Sequence, residues 1–376
     1  MNPEETTASE QDGLENQDIF TWPHRLYEQA MEDKSKVFDD LFQHMTPAML
    51  AKHFDFLQKS AATGPEKSWW SKYQKNLADN LQSLSLKLFK GKYKPRIALK
   101  LDIPTGSYAS QRFRTAAVED NLVQHIVAEI LEQIYEADFL NFSFSFRPKR
   151  SNYGATRALL KAIHRKKIDW ILVAEVQDYF YSIDPKRLIS FLKQRIGDPR
   201  IIQLIRKWLK DGVLEKFKLR SRAEKAKPGK RISGILANVY LHYVLDEWVQ
   251  LWMQKEVKGA FIIVRANDAF AVGFQNEDEA NLFLTQVEER LKHYKLTLCP
   301  DKTKLIEFGR FAEMRRVRRD EGKPETFDFL GYTHYCGTSE DGYFRVLQGK
   351  KVITKKSRRT RVILKRLAHK KKKKKD

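Results

Sequence analysis

The sequence predicts an α+β fold, with helices on one face of an antiparallel sheet, and three observations carry that expectation. The stretch "FIIVRANDAFAVGF", residues 261–274, holds two short runs of Ile, Val and Phe around a polar Ala-Asn-Asp-Ala turn, which is the chemistry of a hairpin. Residues 168–176, "IDWILVAEV", read as another apolar strand. Helical patterns lie between and after these pieces, so the order runs strand, helix, helix, hairpin, helix and strands.

Each element has its own signal. From Trp22 to Leu57 apolar residues recur at helical spacing, and "SWWSKYQKNLADNLQSLSLKLF" continues with Leu77, Leu81, Leu84 and Leu88 on one face. "PRIALKLDIP" alternates as a strand does. In "VEDNLVQHIVAEILEQIYEADFL" a long helix follows from Leu122, Ile126, Ile130 and Ile134 at i, i+4 spacing. The aromatic and basic "NFSFSFRPKRSNYGA" comes next as a loop. "SIDPKRLISFLKQRI" opens a helix with Asp184 as N-cap and Pro185 at the first helical position. Residues 218–231 form a basic loop, and "ILANVYLHYVLDEWVQLWMQ" has the length of a buried helix. Asn276 and Glu279 suggest a capping box ahead of Phe283, Val287 and Leu291. "LTLCPDKTKLIEF" and "TFDFLGY" add short strands.

A chain of 376 residues with 42% apolar content can bury a sizeable core shared among subdomains. Two distant cysteines, Cys299 and Cys336, fit neither a disulfide framework nor a metal cluster, so a reducing, cytoplasmic setting is expected. No apolar run reaches membrane-spanning length, and no membrane partner is expected. The first twenty residues carry six acids and no Lys or Arg, the wrong sign for a secretory leader, and are expected to be disordered. Of the net charge of +22, +14 sits in residues 350–376, which hold 15 Lys plus Arg against one Asp. Such a run attracts polyanions by counterion release.

Two acids stand out. Glu175 ends an apolar strand, where an unpaired buried carboxylate costs several kcal/mol. It faces either a cation or cleft, or solvent from a half-exposed strand. Asp268 sits at the hairpin tip, a place that Asp also takes for turn chemistry alone. Together with an aromatic at Phe180, five residues after Glu175, they form the parts of a polymerase palm. That site holds two Mg²⁺ ions about 4 Å apart on carboxylates from adjacent strands. Glu175 and Asp268 are the candidate catalytic and metal-binding residues, with Mg²⁺ the expected cofactor if the site is active. Phe180 would lie under the incoming sugar and discriminate against a 2′-hydroxyl.

Over residues 42–365 the chain resembles the reverse transcriptases encoded by group II introns and their bacterial relatives. "FSFSFRPKRS" is similar to F-S-Y-G-F-R-P-G-R-S, and "ISGILANVYLHYVLDEW" to I-S-P-L-L-A-N-I-Y-L-H-x-x-L-D. "LTLCPDKTKLIEFGR" resembles L-x-L-x-x-x-K-T-x-x-x-x-F, and "FDFLGYTHYCG" the primer-grip stretch F-x-F-L-G-F-T. The resemblance implies a right-hand fingers-and-palm architecture. It divides the chain into an acidic tail (1–20), a helical N-terminal region with fingers (21–165), a palm with the hairpin and primer grip (166–335), and a truncated thumb with basic tail (336–376). It also implies that Asp178, Tyr179, Phe180, Arg112 and Arg114 contact nucleotide, and that Arg147, Lys149, Arg150, Lys302, Lys304 and Gly331 contact nucleic acid. RNA, an RNA:DNA duplex and, if the site is active, dNTPs are the expected partners; the oligomeric state is left open.

The same comparison exposes departures. The family's V-R-Y-A-D-D-F falls on Val264 to Phe270, so one acid of two is replaced by Ala269 and the tyrosine by Ala266. The first carboxylate, Asp in the family's D-I-K-x-F-F-D, falls on Glu175, and the last Asp of that motif on Tyr181. In "IPTGSYASQRFRTAA" the triphosphate-holding Lys and Arg become Thr105 and Gln111, with Arg112 or Arg114 as substitutes. The P-Q-G-G loop is replaced in "KPGKRISG". Two readings follow: a reverse transcriptase with weak or lost catalysis, and an inactive RNA-binding protein on the same fold.

Overall fold

Every residue of Phe261–Ala266 is buried, as are five of the six in Ala269–Phe274. Strands buried on both faces read as continuous apolar runs, which is how this hairpin reads. The structure is a computed structural model that describes residues 22–61, 67–95, 99–104, 110–115, 118–210 and 228–350. The acidic segment, most of the 218–231 loop and the tail from 351 lie outside the described residues.

The N-terminal region is helical. It comprises α1 (residues 22–32), a 3₁₀ turn (Phe42–His44), α2 (Pro47–Ala61), α3 (Lys67–Gln74) and α4 (Leu77–Phe89). The two expected helical stretches are thus each divided, the first before Pro47 and the second between Gln74 and Leu77. Strands β1 (Leu99–Pro104) and β2 (Ser110–Thr115) pair antiparallel, and α5 (Val118–Glu136) and α6 (Asn152–Arg165) follow.

Next come β3 (Trp170–Glu175), α7 (Tyr179–Ser182), α8 (Pro185–Leu192) and α9 (Pro199–Lys210). Asp184 caps α8 by accepting from the backbone N–H groups of Lys186 and Arg187, as expected. Helix α10 (Pro228–Leu241) runs through a π turn (His242–Asp246) into α11 (Glu247–Glu256). The hairpin is β4 (Phe261–Ala266) and β5 (Ala269–Phe274), ahead of α12 (Glu277–His293). Glu279 makes no capping box; its Oε1 accepts instead from the N–H groups of Lys258 and Gly259, tying α12 to the hairpin's entrance. Of "LTLCPDKTKLIEF" only β6 (Lys304–Glu307) is strand, because Pro300 opens a 3₁₀ turn to Lys302. Helix α13 (Ala312–Arg318) and strands β7 (Phe327–Phe329), β8 (Tyr332–Thr338) and β9 (Phe344–Lys350) complete the described chain.

The central sheet is antiparallel in the order β4-β5-β3-β6 and separates two cores. Leu172, Ala174, Phe270, Val272 and Phe274 point into the larger core with α5, α10 and α12. Ile171, Val173, Ile262, Val264 and Ala271 point into the smaller one, which Ala155, Leu159 and Ile163 of α6 close together with Phe327 and Phe329 of β7. Helices therefore cover both faces, not the one expected. Strand β8 runs through residue 336, so residues 336–350, expected to begin the truncated thumb, form the end of β8, a turn and β9 in the three-stranded sheet β7-β8-β9, and the rest of that expected segment, 351–376, lies outside the described residues.

A polar chain fastens α2, α5 and the start of α10. Arg231 binds Glu132 with both nitrogens and donates to His125 Nε2 at 3.0 Å. That leaves His125 Nδ1 to donate to His53 Nδ1 at 2.9 Å, and His53 Nε2 lies 3.1 Å from Glu129 Oε2. His53, His125 and Glu129 converge as metal ligands do, but Arg231 and the imidazole–imidazole bond occupy the lone pairs a metal needs. Burial, then Arg231 and His53, push His125 down to about 3, which keeps it neutral.

Candidate functional site

Period-two alternation along β3 decides where Glu175 goes. Ile171 and Val173 face the smaller core, so Glu175 shares their side at the point where the strand leaves the interior. It pairs with Ala269 across the ladder, and Val176 N–H donates to the Asp268 carbonyl at 2.9 Å. Glu175 and Asp268 thus sit side by side although 93 residues apart in sequence. The hairpin turn is tighter than expected: Ala266 pairs with Ala269, leaving Asn267 and Asp268 as a two-residue loop. Asn267 takes a left-handed φ of 58°, a conformation that asparagine tolerates.

The hairpin is pinned just before its turn by a buried ion pair. Arg265 Nε donates to Asp246 Oδ1 at 2.7 Å, and Nη2 serves Asp246 Oδ2, Ser143 Oγ and Asn238 Oδ1. The π turn at residues 242–246 carries Asp246 in the helix that faces the hairpin. Burial raises the Asp246 carboxyl above its ordinary value, and the guanidinium pulls it back only in part. The chain at 142–144 adds backbone bonds: Arg265 N–H to the Phe142 carbonyl at 2.8 Å, and Phe144 N–H to the Arg265 carbonyl at 2.9 Å.

Beside the turn the ion pair is different. Lys302, at the end of the 3₁₀ turn before β6, places its Nζ on Glu175 Oε1. Since β6 is the neighbour of β3, residues 302–304 end beside residue 175. Lys302, expected to meet nucleic acid, pairs with the first candidate metal ligand instead. A glutamate carries its carboxylate one methylene further than aspartate.

Other expected contacts are redistributed. Arg147 is buried; it binds Glu136 with two nitrogens and donates to the carbonyls of Leu140 and Ser143, so it braces the 140–150 loop and cannot line a groove. Tyr179 is buried too, its hydroxyl donating to the Ala237 carbonyl, which removes it from the nucleotide side. Asp178 is the exposed residue preceding α7, at φ 48°. Arg150 donates to the Asn141 carbonyl and lies over the Phe144 ring, whereas Lys149 is exposed at φ 58°. Lys304 pairs with Glu325. Gly331, at φ 90°, makes the β7–β8 turn together with Leu330 at 50°. Arg112 and Arg114 stand opposite Asp102 and Lys100 in the β1–β2 ladder; their side chains, like Thr105 itself, lie outside the described part.

Phe180 is half-buried and lines a crevice too narrow for a water molecule with Phe146, Tyr179, Leu241, Asn238 and Asn267. Gly234 lets the Phe146 ring lie against α10, since a Cβ there would come within 2.2 Å of it. Asn238 Nδ2 and Asn267 Oδ1 have no hydrogen-bond partner among the described residues. Sequence reading missed Lys302 as the partner of Glu175 and Asp246 as the partner of Arg265. The β3–β6 pairing was the signal for the first; an acid and an arginine each inside an apolar run were the signal for the second.

A sheet of this order, a hairpin tip set against the end of β3 and a π-turned helix behind it define a polymerase palm. The family description "Reverse transcriptase (RNA-dependent DNA polymerase)" matches residues 103–334. The chain belongs to the reverse transcriptase family, in its group II intron type. It is 30% identical over 172 residues to Protein YkfC of Escherichia coli K12, covering 45% of each chain. With the group II intron-encoded protein LtrA of Lactococcus lactis it shares 29% identity over 205 residues, 52% of this chain and 34% of LtrA. Nuclear intron maturase 2, mitochondrial, of Arabidopsis thaliana matches at 26% over 232 residues, 52% of this chain and 30% of that protein. The chain thus spans less than half the length of each of these relatives. Among the described residues no helix is long and apolar enough to cross a membrane.

Proposed function

We propose that this chain is an RNA-binding reverse transcriptase of the group II intron type whose palm has lost templated DNA synthesis or retains it only at a very low rate. The single observation that carries the reading is Ala269 in the place of the second hairpin acid, paired across the ladder with Glu175 where the family has Asp. A palm that works with two divalent ions presents two or three carboxylates to them. Here Glu175 stands where the family pattern has aspartate, and the hairpin position next to Asp268 offers a methyl. The donor set does not fit a pair of Mg²⁺ ions. RNA and an RNA:DNA duplex remain the partners that the family and the charge favour, with a group II intron RNA the first to try because the relative LtrA is encoded by such an intron.

Primer extension by the purified protein, on an RNA template with a DNA primer and dNTPs, tests the reading. No extension is expected from the unaltered chain. Glu175→Asp with Ala269→Asp should raise it, whereas adding Ala266→Tyr should not help, because Ala266 is 1% exposed inside the smaller core. Robust Mg²⁺-dependent synthesis by the unaltered protein, abolished by Asp268→Ala, would overturn the proposal.

A further inference from the structure

Between residues 147 and 167 the chain carries eight Lys and Arg and no acid. Two of these cations are used inside the protein: Arg147 on Glu136, and Lys166, whose Nζ donates to the Phe261 carbonyl. Several of the others stand on one stripe. Helix α6 buries Ala155, Leu159 and Ile163 and turns Tyr153, Arg157, Lys161 and Arg165 outward, each four residues from the last and all exposed. Four residues rise about 6 Å along a helix, so the row extends about 18 Å. Tyr153, at its N-terminal end, is 62% exposed, and the Arg157 guanidinium lies 5.8 Å from its ring centroid.

An ordinary solvated helix face mixes its charges. Helix α12 does so, with Glu288 and Glu289 beside Arg290 and Lys292. In α13, Arg315 pairs with Asp169 and Glu307, and Arg319, the residue that follows it, pairs with Glu307 and Glu321. On α6, by contrast, no carboxylate among the described residues pairs with Arg157, Lys161 or Arg165. A row of uncompensated cations repels itself unless a polyanion covers it.

We propose that the outer face of α6 is a nucleic-acid track separate from the palm, on which Arg157, Lys161 and Arg165 take successive phosphates of single-stranded RNA and Tyr153 stacks a base. Single strands suit this arrangement, because a row of cations ending in an exposed aromatic ring serves both backbone and unstacked bases. The track rests on the RNA-binding reading above and says where part of that binding lies.

The test uses the full chain, a labelled single-stranded oligoribonucleotide and an RNA:DNA hybrid, with affinity measured against salt. Replacing Arg157, Lys161 and Arg165 by Gln should lower the slope of log affinity against log salt for the single strand by about 2, since each phosphate contact contributes about 0.7. Tyr153→Ala should weaken single-strand binding about tenfold with little change of slope. Exposed positions of this kind leave folding intact, which the unfolding midpoint of each variant checks. An unchanged slope in the triple variant, with a reduced slope after deletion of residues 350–376, would overturn the track and leave RNA binding standing. Loss confined to the hybrid would overturn the single-strand assignment. A wild-type chain with no salt-dependent affinity for either probe would sink the RNA-binding reading itself.

Discussion

Two ion pairs lie near the turn of the β4–β5 hairpin and differ in almost every respect. Behind the turn, Arg265 of β4 and Asp246 are 1% and 0% exposed, and the guanidinium also serves Ser143 and Asn238. Beside it, between the end of β3 and the turn before β6, Lys302 and Glu175 are 41% and 26% exposed and form one contact. The first pair is part of the architecture, because removing either partner strands a charge in the interior. The second joins a lysine that the family pattern also carries to a glutamate that stands where the pattern has aspartate. The fold and the chemistry of this region are therefore separable, and the chain keeps the first while altering the second at Glu175 and Ala269.

The largest expected effect breaks the buried pair. Asp246→Ala leaves Arg265 buried and unpaired, which should cost about 3–5 kcal/mol and lower the urea midpoint steeply. A loss below about 1 kcal/mol would mean that water reaches the pair and that it is no different from the exposed one.

A smaller effect comes from His242, which shares the π turn with Asp246 and is pushed down to about 3 by burial, then by Arg265, Arg147 and Lys34. Its Nε2 lies 3.6 Å from a Glu247 carboxylate oxygen. A base whose folded value lies below its unfolded value of 6.5 takes up a proton on unfolding, so its contribution is complete above pH 6.5 and is lost as pH falls towards 3. Between pH 6.5 and 5 this group should remove roughly 2 kcal/mol. Thermal unfolding of the wild type and of His242→Gln over that range measures it; parallel curves would exclude His242 as the source.

Lys302→Met sharpens the exposed pair. Its cost in stability should stay within about 1 kcal/mol, and Glu175 should become available to a divalent ion, read as Mn²⁺ binding absent from the wild type. If the variant gains no ion affinity, the ammonium is not what disqualifies the site. The smallest effect is expected at Lys149, whose φ of 58° stands where the family pattern has glycine. Lys149→Gly should stabilise by about 1 kcal/mol through relief of the left-handed conformation, visible as a raised unfolding midpoint.

The elements that sequence reading placed well are those with a local cause. Asp184 and Pro185 start α8 by backbone hydrogen bonding alone, and Leu122, Ile126, Ile130 and Ile134 mark the buried face of α5 within a single helix. What it misplaced depends on partners outside the element that carries the signal. Asn276 and Glu279 have the spacing of a capping box, yet Glu279 finds better donors in the chain entering β4. Arg147 resembles a groove cation, and its partners are near in sequence, but it takes the irregular path between α5 and α6 to bring the carbonyls of Leu140 and Ser143 and the carboxylate of Glu136 around it. The placement of the end of β3 beside the hairpin turn was readable from the strand and hairpin pattern, whereas Lys302 depended on knowing that β6 borders β3.

The short segment at 142–144 has a consequence for how copies of this chain behave together in solution. β4 is the outermost strand of its sheet, and Phe261–Ala266 carries the β-branched and aromatic residues that recruit a second strand from another molecule. Two stoppers protect that flank. Residues 142–144 occupy the hydrogen-bonding groups of Arg265 at one end, and the Lys166 ammonium occupies the Phe261 carbonyl at the other. Both stoppers lie between residues 142 and 166, so a lesion that loosened this one stretch of chain would uncover a sticky strand and turn a loss of local order into self-association.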